Sequence, residues 1–123
     1  MSYDLEEFRY HRSATQEPYD YKDSHDWGTF VRYIELGDDG FAMRQVDEYR
    51  TGQLCRYDRA HWDDQFGTLA SLRFGEAWLD HWGTPIVITR NEFEEKWASA
   101  SESMSGQLKG LSSAKLPPWL SRA

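Results

Sequence analysis

The chain has 123 residues, a formal net charge of −7 and an aromatic content of 15%, which predicts one domain whose single core is built on large rings. Residues 1–40 contain ten acidic and four basic side chains, whereas the remaining 83 residues contain eleven and ten. An acidic field repels phosphate groups, so this composition argues against binding to nucleic acids or to anionic membranes. A basic protein partner would instead be attracted.

The single cysteine, Cys55, cannot form an intramolecular disulfide and has no cysteine neighbour for a zinc site. No apolar run approaches the length of a membrane span, and the first residues have neither the basic nor the apolar region of a signal peptide. We therefore expect a soluble, cytoplasmic protein that uses no cofactor and no metal.

Residues 1–29 are rich in tyrosine and charge, and they show no periodic hydrophobic signal beyond a possible short helix that Ser2 would cap. We interpret them as an acidic, partly irregular arm, which is either extended over the domain or partly disordered. The chain then divides into a single domain over residues 30–104 and a C-terminal tail over residues 105–123, where two consecutive prolines exclude a continuing helix.

The centre of the sequence predicts an antiparallel meander of three strands. Residues 30–36 are apolar on both faces, which is typical of an inner strand, and Gly37-Asp38-Asp39-Gly40 supplies a turn. The next strand is predicted over residues 41–49. Gly52 then allows a tight turn into a third strand, which runs from residue 53 to about residue 58.

The second half of the domain predicts a loop over residues 61–67 and a helix over residues 75–82. Between them, residues 68–74 fit either a short irregular strand, which we prefer, or a helical turn. The helix over residues 75–82 would carry Trp78 and Trp82 on one side.

A short apolar strand over residues 85–88 precedes Thr89 and Glu92, which match a capping box, and a helix from residue 90 to about residue 101 that buries Phe93 and Trp97. The fold class is thus α+β: a mainly antiparallel sheet of four to five strands, with one or two short helices on one face.

Candidate catalytic or metal-binding side chains are few. His61 with Asp63 and Asp64 is the best acid/base or metal group, but a polar loop around Trp62 explains the same residues. Cys55 stands in a strand without a positioned base, which favours a small core side chain over a nucleophile.

Charged side chains around the meander allow a structural and a functional interpretation. Glu35, Asp38 and Asp39 lack the ligand spacing of a calcium loop, so a solvated turn is the simpler explanation. Basic and acidic residues alternate along the hairpin, which favours cross-strand ion pairs over a ligand surface. The basic residues concerned are Arg44, Arg50, Arg56 and Arg59.

Two segments carry a family resemblance. They are Arg44-x-Val46-Asp47 followed by Gly52, and Glu92-Phe93-Glu94-x-x-Trp97. Together with the Tyr-Ile-Glu-Leu strand before the Asp-Asp-Gly turn, they resemble a family of small, uncharacterised bacterial domains. Those domains are similar in scale and charge to immunity proteins of polymorphic toxin systems. The resemblance covers about residues 30–98 and implies a fold more directly than an activity.

The resemblance and the acidity lead to one functional hypothesis, a non-enzymatic immunity protein that binds and neutralises a cognate toxin, for example a basic nuclease. Two alternatives remain open: a small hydrolase or transferase that uses His61 with a nearby carboxylate, and a scaffolding module anchored by its tail. The expected partner contacts are Asp38, Asp39, Asp58, His61, Trp62, Asp63 and Asp64.

Overall fold

The computed structural model describes residues 5–14, 25–63, 66–70, 73–74 and 84–100. These residues form one five-stranded antiparallel sheet, in the order β4-β3-β2-β1-β5, and one α-helix that packs on it. The predicted α+β class is confirmed. The elements are β1 (Tyr10–Ala14), β2 (Phe30–Leu36), β3 (Ala42–Tyr49), β4 (Leu54–Asp58), β5 (Ile86–Val87) and α1 (Arg90–Ser99).

The predicted meander of β2, β3 and β4 is present. Gly40 and Gly52 both have positive φ angles, 84° and 104°, at the two turns that join these strands. Glycine adopts this backbone conformation without steric cost, which explains its place at both positions. Opposite residues of β2 and β3 include Arg32 and Asp47, whose side chains therefore lie on the same face of the sheet.

Strand β1 lies within the predicted N-terminal arm. Residues 10–14 pair with β2 on one side and with β5 on the other. The sequence did not signal this strand because its inward side chains are His11 and Ser13, which are 0% and 2% exposed. An inner strand with a polar inward face lacks the apolar alternation by which strands are recognised.

Helix α1 begins as the capping box predicts. The Thr89 hydroxyl oxygen accepts a hydrogen bond from the Glu92 amide at 3.0 Å, and this bond satisfies one of the free amides of the first turn. The helix ends at Ser99, close to the expected position, and its Phe93 is completely buried. The predicted helix over residues 75–82 lies outside the described residues.

Two hydrophobic clusters cover the two faces of the sheet. On the face that we call the helix face, α1 buries Phe93 against a cluster that includes Tyr33 and Val46. On the opposite face, which we call the loop face, the segment after β4 provides the cover. That larger cluster contains Phe30, Ile34, Leu36, Ala42, Tyr49, Cys55, Tyr57, Trp62, Phe66, Leu69 and Ala70.

The covering segment is less regular than the sequence predicted. In place of a strand over residues 68–74, the described part of this segment has a single β-bridge between Asp63 and Thr68. Gln45 of β3 holds it, since its side chain donates to the Thr68 carbonyl at 2.9 Å and accepts from the Ala70 amide at 2.8 Å. A side chain of the sheet thus replaces the ladder that a further strand would have formed.

Ion pairs fix α1 to the helix face. Arg44 bonds both Glu35 on the neighbouring strand and Glu94 on the helix, each at 2.6 Å. Arg44 and Arg56 also lie over the Trp97 ring, at 5.0 and 4.9 Å from its centre. The expected cross-strand pairing of Arg44 is confirmed. Arg56 instead stacks on the helix, so the helix covers part of the arginine-rich surface.

A charged pair lies at the centre of the loop face. The Arg32 guanidinium donates from Nε and Nη2 to the two carboxylate oxygens of Asp47 at 2.9 and 3.1 Å, and the two side chains are 1% and 0% exposed. Gln45 also donates to this carboxylate. Removal of either partner would leave the other charge buried without compensation, which is strongly destabilising.

Replacement of Asp47 by alanine is expected to destabilise the fold by about 3 to 5 kcal/mol, because the Arg32 charge would remain buried without its carboxylate. Urea unfolding followed by circular dichroism measures the change. The control is Arg90→Ala, whose side chain is 75% exposed and lies 3.9 Å from Glu94, and which should cost less than about 1 kcal/mol. Equal losses in both variants would contradict this account of the core.

His11 is a second buried polar side chain on the loop face. Its Nδ1 lies 2.7 Å from the Phe8 carbonyl oxygen, which fixes Nδ1 as the protonated nitrogen, and its ring contacts Phe74 at 4.9 Å between centres. Burial lowers the pKa of His11 to about 4, although the bond to Phe8 opposes this change. The folded protein therefore holds a neutral imidazole at neutral pH.

Stability is expected to fall as the pH is lowered from about 7 to 5. The unfolded chain takes up a proton on His11 near its ordinary pKa of 6.5, whereas the folded chain does so only near 4. The free energy of unfolding should therefore decrease by about 2 kcal/mol between pH 7 and pH 5. His11→Asn retains a donor for Phe8 but no titrating group. Urea unfolding at both pH values should show a weaker pH dependence in this variant, and an unchanged dependence would refute the assignment.

Candidate protein-binding surface

The fold brings the two groups of predicted contact residues to one end of the sheet. The turn with Asp38 and Asp39 joins β2 to β3, and the loop after Asp58 leaves β4 beside it. Arg59 links them, since it donates to the Asp39 carboxylate at 3.0 Å and to the Ala42 carbonyl at 3.1 Å. Residues that are about 20 positions apart in sequence thus form one surface.

Asp38 is the most accessible of those predicted contact residues that the structure describes. Its side chain is 98% exposed, and one carboxylate oxygen lies 3.1 Å from the Arg9 guanidinium. Arg9 also donates to Glu6 at 2.6 Å and to the Leu36 carbonyl at 3.1 Å. The hydrogen bond to Glu6 is the main cause of the raised pKa of Arg9. Glu6 and Asp38 thus bring two carboxylates to a single cation.

Asp39 and Asp58 have structural roles at this end of the sheet. Asp39 accepts hydrogen bonds from Arg59 and from the Phe41 amide. Burial would raise the pKa of Asp39, but these hydrogen bonds lower it below its usual value. Asp58 accepts from the Ala60 and His61 amides at 2.9 and 2.7 Å, which is the pattern of a side-chain-stabilised turn. Both carboxylates therefore fix backbone.

His61 and Trp62 point inward. They are 7% and 8% exposed, and the His61 ring stacks on Tyr57 at 5.7 Å with an interplanar angle of 13°. Asp58 bonds the backbone amide of His61. The placement supports the simpler interpretation of a loop packed around Trp62. A role of His61 and Trp62 in partner binding stays a prediction. Because both side chains are buried, they would contribute by supporting the exposed surface beside them.

The remaining predicted residues of this loop differ in what the structure describes. Asp63 is half-buried and pairs with Thr68 in the β-bridge. Asp64 lies outside the described residues. Within the described ranges, no group of three or more His, Cys, Asp or Glu side chains could hold a metal ion. In the same ranges no helix is long and apolar enough to cross a membrane.

The structure adds Met43 to this surface, which the sequence analysis did not select. Glu35 pairs with Arg44 and Leu36 with Ala42, so Met43 is the extra residue of a β-bulge. A bulge redirects the side chain of its extra residue, and Met43 is 39% exposed. A period-two pattern cannot reveal such a residue, because the bulge arises only when the two strands are paired.

A shallow depression of about 280 Å³ lies beside Met43. Its lining combines apolar surface with carboxylates and one cation: Arg9, Glu35, Leu36, Gly37, Asp38 and Met43. A Cβ atom at Gly37 would come within 2.9 Å of the Met43 side chain, so glycine lets this side chain lie over the turn. We call the Asp38 and Met43 side chains with this depression the turn surface.

The carboxylate at the edge of the turn surface is held in place. Glu35 accepts hydrogen bonds from Arg44 and from the Tyr10 hydroxyl at 2.8 Å. Burial raises the pKa of Glu35, but the bonds from Arg44 and Tyr10 outweigh it, and the pKa lies below its usual value. The turn surface therefore combines a fixed carboxylate, a fully exposed carboxylate and an adaptable apolar side chain.

Searches against protein-family models, curated proteins and solved structures find no match to this chain. The fold itself is a five-stranded antiparallel sheet covered by a helix on one face and by an irregular segment on the other.

The structural role of Asp58 can be tested directly. Asp58→Ala is expected to lower the free energy of unfolding by about 1 to 2 kcal/mol, because the Ala60 and His61 amides lose their acceptor. Asp58→Asn keeps one acceptor oxygen and should lose less. Urea unfolding of both variants provides the comparison, and an alanine variant as stable as the wild type would show that these bonds contribute nothing.

Proposed function

We propose that this chain is a non-enzymatic immunity protein, which binds a basic protein toxin stoichiometrically in the bacterial cytoplasm. The observation that carries the proposal is the turn surface, where the 98% exposed carboxylate of Asp38 stands beside the 39% exposed side chain of Met43. Methionine adapts to different partner surfaces. A neighbouring carboxylate adds selectivity for a basic partner.

The charge distribution supports the same partner class. The chain carries a net charge of −7, and the acidic excess is concentrated in residues 1–40. This part of the chain contains Glu6, Asp38 and Asp39 at the end of the sheet where the turn surface lies. A field of this sign accelerates encounter with a basic toxin, such as a nuclease, at low ionic strength.

The alternative enzymatic role of His61 has less support. A general base needs access to its substrate, whereas His61 is 7% exposed and stacks on Tyr57. The scaffolding alternative depends on the tail over residues 105–123, which lies outside the described residues. The turn surface involves neither His61 nor the tail. For this reason we propose inhibition by binding.

Coexpression tests the proposal. The partner to use is the C-terminal domain of the large secreted protein that we expect the adjacent gene to encode. Growth should be restored only when this chain is at least equimolar with the toxin domain, and the purified proteins should form a 1:1 complex by native mass spectrometry. Rescue at strongly substoichiometric amounts would indicate catalysis and contradict the proposal. Absence of any complex would also contradict it.

The turn surface predicts which substitution weakens the complex. Asp38→Lys should reduce the affinity for the toxin domain by about tenfold or more, because it replaces an exposed attractive charge by a repulsive one. Glu95→Lys changes the net charge equally at an exposed position of α1, and it should have a small effect. Calorimetric titration at low and moderate salt compares the two, and equal losses would exclude Asp38 as a contact.

A further inference from the structure

Four side chains form a row across the loop face. In the sheet register, Cys55 on β4 is opposite Asp47 on β3, Asp47 is opposite Arg32 on β2, and Arg32 is opposite Ser13 on β1. Opposite residues point to the same face of the sheet. The charged pair in the middle of this row is thus followed on its β1 side by a hydroxyl group.

The Ser13 hydroxyl has no hydrogen-bond partner among the residues that the structure describes, although the side chain is only 2% exposed. A buried hydroxyl without a partner is costly and uncommon in native proteins. Opposite side chains lie about 5 Å apart at their Cβ atoms. Ser13 and Arg32 are therefore neighbours, but they do not hydrogen-bond to each other directly.

The guanidinium group is suited to a bridging ligand on this side. Its Nε and Nη2 donate to Asp47, so Nη1 lies on the edge of the planar group that is turned away from that carboxylate. Arginine offers five N–H donors in all. A small group between Arg32 and Ser13 would accept a hydrogen bond from the guanidinium. It would form a second hydrogen bond with the hydroxyl, either as donor or as acceptor.

Charge decides which small group fits. Asp47 already compensates the charge of Arg32, and His11 on the same face is neutral at pH 7 because burial lowers its pKa to about 4. An anion or a cation would therefore be buried without a counter-charge from the residues that the structure describes, at high cost. A neutral molecule that both donates and accepts hydrogen bonds meets the requirement.

We propose that one buried water molecule bridges the Ser13 hydroxyl and the Arg32 guanidinium. The bridge would connect β1 to the polar row and thereby explain a serine at an inward position of an inner strand. Buried waters typically make about three hydrogen bonds to polar groups of the protein. This site is independent of the proposed toxin binding.

A crystal structure at about 1.5 Å resolution tests the site directly. The expected result is an electron-density peak within hydrogen-bonding distance of both Ser13 Oγ and a guanidinium nitrogen of Arg32. The thermal stability of Ser13→Ala provides a second test. If the Ser13 hydroxyl is hydrogen-bonded to a water molecule, Ser13→Ala should lower the midpoint of thermal unfolding by about 4 °C or more. If the hydroxyl is unsatisfied, the same substitution should leave the midpoint unchanged or raise it.

Ala14→Ser is the matched control, because it makes the reverse exchange at the exposed next position of the same strand. It corrects for the intrinsic difference between alanine and serine in β1. The proposal is overturned if the density map shows no such peak. It is equally overturned if Ser13→Ala, after this correction, is at least as stable as the wild type.

Discussion

The buried pair between Arg32 and Asp47 is the constraint on which the rest of the core depends. Two charges at 1% and 0% exposure must be covered completely, and Asp47 must stay opposite Arg32 in the register of β2 and β3. A slip of one residue would turn one partner to the other face of the sheet. The pair is therefore compatible with only one register of β2 and β3, the same register that buries the apolar residues of both faces.

The cover over this pair follows from the same requirement. Gln45, next to Asp47 on the same face, bonds both the carboxylate and the backbone at Thr68 and Ala70. The covering segment thus meets the sheet through polar bonds at its centre and through aromatic rings around them. An irregular segment can close this face because the side chain of Gln45 satisfies backbone groups that a regular strand would satisfy by pairing.

The turn surface illustrates why the candidate site could be predicted only in part. The acidic turn was recognisable from glycine and aspartate, and the exposure of Asp38 agrees with that interpretation. The exposure of Met43 follows from a bulge, and the burial of His61 and Trp62 follows from the path of the covering segment. Both depend on contacts between residues distant in sequence, which a local pattern does not contain.

Local backbone preferences and hydrophobic periodicity are sufficient to predict the meander, its glycine turns and the capped helix. The position of Tyr10–Ala14 as an inner strand depends on tertiary contacts, since its inward residues are the polar His11 and Ser13. Tertiary contacts also decide which charges are buried and which remain in solvent. Register is defined only between paired strands, and burial depends on the segments that pack against a strand, so neither can be inferred from one strand alone.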